Sequence, residues 1–219
     1  MSSDDQATFE VAHVDDIPTL PTDGAPPWKA VRRHLGISSF GINAFLGEAP
    51  GDHVIEEHTE TAGGAAGHEE LYLVLRGGAR FEVDGSEISA PPGTLVFVRD
   101  PEARRGAVAT EPDTIVLALG GTPGEPYRPS PWEFYAPAFA LSQAGDHEGA
   151  LRLVADGLEQ HPERPTLLYN LACYESLAGQ PEQAVAHLAR AIELEPRMAE
   201  WARDDADFAP IRERADFPA

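Results

Sequence analysis

Two hydrophobic rhythms divide the chain. Up to about residue 120, short apolar runs rich in β-branched and aromatic residues are cut by Gly, Pro and Asp-Gly. Apolar/polar alternation predicts strands over 70–76, 79–83, 86–89, 94–98 and 113–119. Asp84-Gly85 predicts a tight hairpin between the second and third of these, because both residue types tolerate positive φ. Pro91-Pro92-Gly93 marks the next turn. Strands this short, with turns this regular, predict an antiparallel sandwich or barrel. Residues 121–131 are rich in Gly and Pro and read as a semi-extended linker.

Beyond the linker the apolar period becomes helical, and the chain repeats itself. Ala144, Gly145, Glu148, Ala150, Glu159 and Pro162 recur as Ala178, Gly179, Glu182, Ala184, Glu193 and Pro196, each 34 residues on. This period and these positions resemble the tetratricopeptide repeat, with Ala138 and Ala172 at the small position of the first helix and Phe134 and Leu168 where Trp is common. The resemblance implies two helical hairpins over 132–196. Residues 197–219, with Trp201, Phe208, Ile211 and Phe217, are expected to form a capping helix. It also implies a partner-docking groove lined by Tyr135, Phe139 and Ser142, then Tyr169, Cys173 and Ser176. The same surface would equally suit packing on the β half.

Composition narrows the partners. A formal charge of −21 disfavours nucleic acid and anionic membrane surfaces. Cys173 is the only cysteine, so neither an intrachain disulfide nor a Cys-based zinc site is possible. The opening Met1-Ser2-Ser3-Asp4-Asp5 has no basic start and no apolar stretch, and a cytoplasmic location is expected. Lys29 is the one lysine among 16 basic residues.

The β half, 38–120, resembles the cupin superfamily: Glu70 and Gly77 keep the spacing that ends its first motif, and Gly85 with Pro91-Pro92-Gly93 matches its second. The fold class implied for the whole chain is therefore β + α, a cupin-type antiparallel barrel followed by a short helical array, with residues 1–37 packing on the barrel. Metal-binding cupins bring three His and one Glu together inside the barrel, and here the motif departs. His58-Thr59-Glu60 occupies the His-x-His slot, and the late His falls on Arg104, which has no lone pair to offer a metal. Alternation puts Val54, Glu56, His58 and Glu60 on one face and His53 and Glu57 on the other. Two arrangements remain open. In one, His58, His68 and one or both of Glu60 and Glu70 hold a divalent transition metal (Fe, Mn, Ni or Zn). In the other, adopted here, no metal binds and Arg104 neutralises Glu60 or Glu70 inside the barrel. The remaining histidines, His13, His34, His147, His161 and His187, read as surface or turn residues.

The leading functional expectation is a binding or regulatory protein, with a small molecule in the barrel and a protein or peptide partner on the repeats. The alternatives are a metal-dependent cupin enzyme of the dioxygenase or isomerase/epimerase class, and a structural oligomeriser. Cupin barrels commonly pair through their sheets, so a homodimer is expected, with the outward row Leu71, Leu73 and Leu75 suited to the interface or equally to burial under the N-terminal segment.

Overall fold

The computed structural model describes residues 9–20, 25–61 and 67–218. Its chain contacts divide after Arg128 into an N-terminal β unit and a C-terminal helical unit.

In the β unit the chain makes a 3-10 turn at Val14–Asp16, strands β1 (Thr19–Leu20) and β2 (Trp28–Lys29), and a single helical turn α1 (Val31–His34). Eight longer strands follow: β3 (Gly41–Gly47), β4 (His53–His58), β5 (Glu69–Arg76), β6 (Ala79–Val83), β7 (Ser86–Ala90), β8 (Leu95–Val98), β9 (Arg105–Ala109) and β10 (Thr114–Gly121). They pair antiparallel in two sheets, one ordered β1-β2-β3-β10-β5-β8 and the other β4-β9-β6-β7. The hairpin predicted at Asp84-Gly85 is there: Val83 faces Ser86, and both turn residues have positive φ (46° and 77°), as a two-residue primed turn requires. Gly77 is held to glycine by a close approach as well as by its φ of +69°, since a Cβ there would lie 2.4 Å from Thr114 Oγ1.

Between the sheets lies an apolar core that includes Val54, Ile55, Tyr72, Val74, Phe81, Val96, Val98 and Ala107. A smaller cluster of Ile17, Val31, Ala44 and Ile115 ties the N-terminal segment to the larger sheet. Lys29 is buried there and donates from Nζ to the Ile17 carbonyl at 2.5 Å, while Arg76 makes a bidentate pair with Asp15 at 3.0 and 3.1 Å. Along β5, Glu70, Tyr72 and Val74 face inward, whereas Leu71 and Leu73 are half-buried and Leu75 is exposed.

The helical unit consists of α2 (Trp132–Gln143), α3 (His147–Gln160), α4 (Pro165–Leu177), α5 (Pro181–Leu194) and α6 (Met198–Asp204). The limits of α3 and α5 differ by 34 residues at both ends, so the sequence period is also a structural one. Gly145 and Gly179 take positive φ (84° and 74°) in the equivalent turns. Ala138, Ala150, Ala172 and Ala184 are fully buried where adjacent helices pack, α2 on α3 and α4 on α5. Small residues at these points let the helix axes approach.

The single capping helix expected over 197–219 is corrected. The chain leaves helical geometry at Asp205 (ψ 119°), whose carboxylate accepts from Asp207 N at 3.0 Å and starts a 3-10 turn, Ala206–Phe208. That turn drives Phe208 into the core, edge-on to both Tyr169 and Phe217.

Candidate functional site

Three strands bring the inward polar groups of the β unit together. β4 carries His58 and leads to Glu60 just beyond its end, β5 carries Glu70 and Tyr72, and β9 carries Arg105. His58 and Arg105 are direct partners in the β4–β9 register. That register shifts twice along β4, between His53 and Ile55 and again before His58. Strict alternation therefore fails: Val54 and Ile55 are both buried and Glu56 is exposed, yet His58 still reaches the interior.

The interior cation is Arg105, which corrects the assignment of Arg104. The Arg104 side chain is 68% exposed and pairs with Glu57 at 2.5 Å, whereas that of Arg105 is 0% exposed. Neighbouring strand residues point to opposite faces, so an error of one residue exchanges the buried guanidinium for the solvated one.

The cluster is continuous. His58 Nε2 lies 3.2 Å from Glu60 Oε1 and 3.4 Å from Glu70 Oε2. Glu70 Oε2 also accepts a short hydrogen bond from the Tyr72 hydroxyl and lies 3.3 Å from Arg105 Nε, in an ion pair without hydrogen-bond alignment. Arg105 Nη1 donates to the carbonyls of Ala103 (2.9 Å) and Pro101 (3.3 Å). His58 Nδ1 is 2.7 Å from the Glu56 carbonyl, which leaves Nε2 for the carboxylates. His68 stands behind, with Nδ1 3.9 Å from Glu60 Oε2 and its ring beside Tyr127. The His58 side chain is 33% exposed and the other members much less, so solvent meets the cluster at His58.

Burial opposes an imidazolium at His58, but Glu60, Glu70 and the Glu56 carbonyl outweigh it and raise its pKa to about 10. Burial also opposes the Glu70 carboxylate, yet His58, Tyr72 and Arg105 together hold its pKa below the ordinary value. Burial, reinforced by the Glu70 charge, pushes the Tyr72 phenol well up, so it remains a donor. The acidic side chains of Glu60 and Glu70 thus face His58 and the Arg105 guanidinium.

His58, Glu60 and Glu70 offer ligand atoms that all lie within 4.8 Å of one another, the arrangement a metal would need. The surrounding charges do not fit a resident metal. Glu70 Oε2 is already shared by Tyr72, His58 and Arg105, so the guanidinium stands where a metal would meet this carboxylate. A divalent ion bound at Glu70 would have to sit beside a guanidinium that cannot deprotonate.

The residues assigned to a partner groove are placed differently from one another. Tyr135 is half-buried, Phe139 is exposed, and Ser142 lies 3.2 Å from His147 Nδ1. In the second repeat these residues contact the chain's own C-terminal segment. Tyr169 donates to Asp205 Oδ2 at 2.9 Å, Cys173 Sγ lies 3.8 Å from the same oxygen, and Ser176 donates to the Asp207 carbonyl at 2.7 Å. Burial, with Asp205 and Asp207 adding to it, pushes the Cys173 thiol far up, so it stays protonated. His187, expected at the surface, pairs with the buried Glu175 at 2.8 Å.

Two members of the barrel cluster were missed in the sequence although its pattern contains them. Arg105 is in phase with the buried Ala107 and Ala109, and Tyr72 is in phase with Glu70.

No family model matches the chain, and no curated protein does. Among solved structures, similar ones are cupin-like and cover about half of this chain. KdgF from Halomonas sp. is 17% identical over 57% of this chain and 96% of its own, with a TM-score of 0.41. A cupin protein from Bacteroides fragilis is 17% identical over 52% of this chain and 92% of its own, with a TM-score of 0.36. A sugar phosphate isomerase from a cupin superfamily, from Silicibacter pomeroyi, is 16% identical over 52% and 77%, with a TM-score of 0.42. These similarities concern fold alone, and the chemistry rests on the side chains. Among the described residues, no helix is long and apolar enough to cross a membrane.

Proposed function

We propose that the β unit is a metal-independent barrel that binds a small polar molecule at the His58–Glu60–Glu70–Arg105 cluster. The observation that carries this reading is Arg105, a fully buried guanidinium at the carboxylates that a metal would otherwise neutralise. A buried charge is retained where it is compensated, and here the compensation comes from the chain itself. The helical unit is read as two tetratricopeptide-like hairpins, of which the second is closed by Asp205–Phe208. An external peptide partner would then have only the Tyr135–Phe139 side to meet.

A second reading, a metal-dependent enzyme, draws support from the close set of donor atoms on His58, Glu60 and Glu70. Elemental analysis of protein purified without a histidine tag separates the two. The proposal expects no stoichiometric transition metal and an unfolding midpoint indifferent to EDTA. A metal at one equivalent, with a midpoint that falls on chelation, would refute it.

A further inference from the structure

The barrel cluster that the small-molecule reading assigns to a ligand is nearly shut. Solvent meets it at His58, while the side chains of Glu60, His68, Glu70 and Arg105 are buried or close to it. A molecule that is to touch the carboxylates needs part of the unit to give way. The strands are tied into their sheets by antiparallel ladders, but the segment that follows β10 is not a strand. After Gly121 the chain reverses at Thr122–Glu125. Glu125 N donates to the Thr122 carbonyl at 3.2 Å, and Gly124 follows Pro123 with a φ of +78°, the pattern of a type II turn. The turn returns Tyr127 to the end of the sheet that the chain has just left, against Gly41 and Gly121.

Tyr127 rests in a cradle built from three places in the fold. Gly41 opens β3 and Gly121 closes β10, and neither has a side chain to hold the ring off. A Cβ on Gly41 would lie 2.6 Å from the Tyr127 hydroxyl and 2.8 Å from the ring, and one on Gly121 would lie 3.8 Å from the ring. Arg32 of α1 sets its guanidinium carbon 5.8 Å from the ring centroid, within cation–π range. The His68 ring, whose Nδ1 adjoins Glu60, lies 6.0 Å away. Of residues 123–128, only Tyr127 is not exposed. A segment held by one side chain, with solvent on both sides of it, opens at far smaller cost than a paired strand. Resting on the small-molecule reading above, we infer that residues 122–128 are a strap shut over the His68 side of the cluster, with Tyr127 as its latch. Lifting the latch bares His68 and, behind it, Glu60. Gly41 is the residue that lets the latch seat.

The test uses the full chain and the broadening of histidine ring Cε1–H signals by a neutral gadolinium chelate, which reads exposure whatever the protonation state. Tyr127→Ala is expected to raise the broadening of His68 by about threefold or more, with His13 and His187 unchanged as references. Gly41→Ala keeps the ring but places a Cβ against it, and should bare His68 to a similar extent. The double variant should add nothing to either single change, because both lift one latch. The urea midpoint of Tyr127→Ala should fall by less than about 1 M, since a latch is not a core residue. Unchanged broadening of His68 in Tyr127→Ala would overturn the inference. So would a larger fall in the midpoint, which would make Tyr127 part of the core, or single effects that add in the double variant. None of these measurements involves a ligand or a metal, so the strap stands or falls separately from the small-molecule reading, which the metal analysis decides.

Discussion

Replacing Arg105 by Ala is expected to destabilise the β unit by about 3–5 kcal/mol, the cost of removing one partner from a buried ion pair. The structure places the effect towards the lower end for Glu70 itself, since its carboxylate keeps the Tyr72 hydroxyl and His58. The carbonyls of Pro101 and Ala103 lose their shared donor at the same time, adding about 1 kcal/mol each where water does not replace it. Arg104→Ala is the natural control. It removes the same group one residue away, from a pair whose side chains are 68% and 54% exposed, and should cost less than about 1 kcal/mol. Urea unfolding followed by Trp28 fluorescence reports on this unit, in a background with Trp132 and Trp201 changed to Phe. The two midpoints should separate clearly, and adding Glu70→Gln to Arg105→Ala should recover part of the loss as a coupling energy. If Arg104→Ala and Arg105→Ala fell within 1 kcal/mol of each other, the buried-pair argument would be wrong.

Three further outcomes are expected. The folded pKa of His58 is raised from 6.5 to about 10, so its imidazolium stabilises the barrel fully below about pH 6.5 and that contribution fades as pH climbs towards 10. The loss should be on the order of 2 kcal/mol after allowance for its partial exposure, and a urea midpoint that stayed flat from pH 6.5 to 10 would contradict it. Glu70, held below its ordinary value, acts in the opposite direction: its contribution is present above about pH 4.5 and is lost on acidification. Cys173 should resist a thiol reagent such as DTNB at pH 8 until the protein unfolds, and labelling of the native protein within minutes would show that Asp205–Phe208 opens readily. Phe208→Ala should cost the helical unit about 3–5 kcal/mol by circular dichroism, and a loss under 1 kcal/mol would mean that the C-terminal segment is not part of its core.

What could be read from the sequence followed how local the responsible physics is. The Asp84-Gly85 hairpin and the 34-residue helical period depend on residues close together in the chain, and both are present in the structure. The barrel cluster depends on which face each strand presents, and β4 shifts register in a way that no local pattern announces. The choice between Arg104 and Arg105 turned on the same point. With 105–109 read as a strand, the buried Ala107 and Ala109 would have carried Arg105 inside with them. The C-terminal segment escaped for another reason. Its apolar residues suit a helix, but the chain turns at Asp205, where a local side-chain cap on Asp207 N combines with the tertiary contact of Phe208 with Tyr169.

Lys29 gives the molecule an unusual chemical outer face. The one lysine of the sequence, at the end of β2, is 5% exposed, its amine fixed on the Ile17 carbonyl. The folded surface therefore offers essentially no lysine amine to acylating dyes, aldehyde fixatives, acetyltransferases or ubiquitin ligases. An amine-selective reagent that modified Lys29 in the native state would be reporting that the N-terminal strands had peeled from the sheet, which makes this residue a ready-made footprint of local opening.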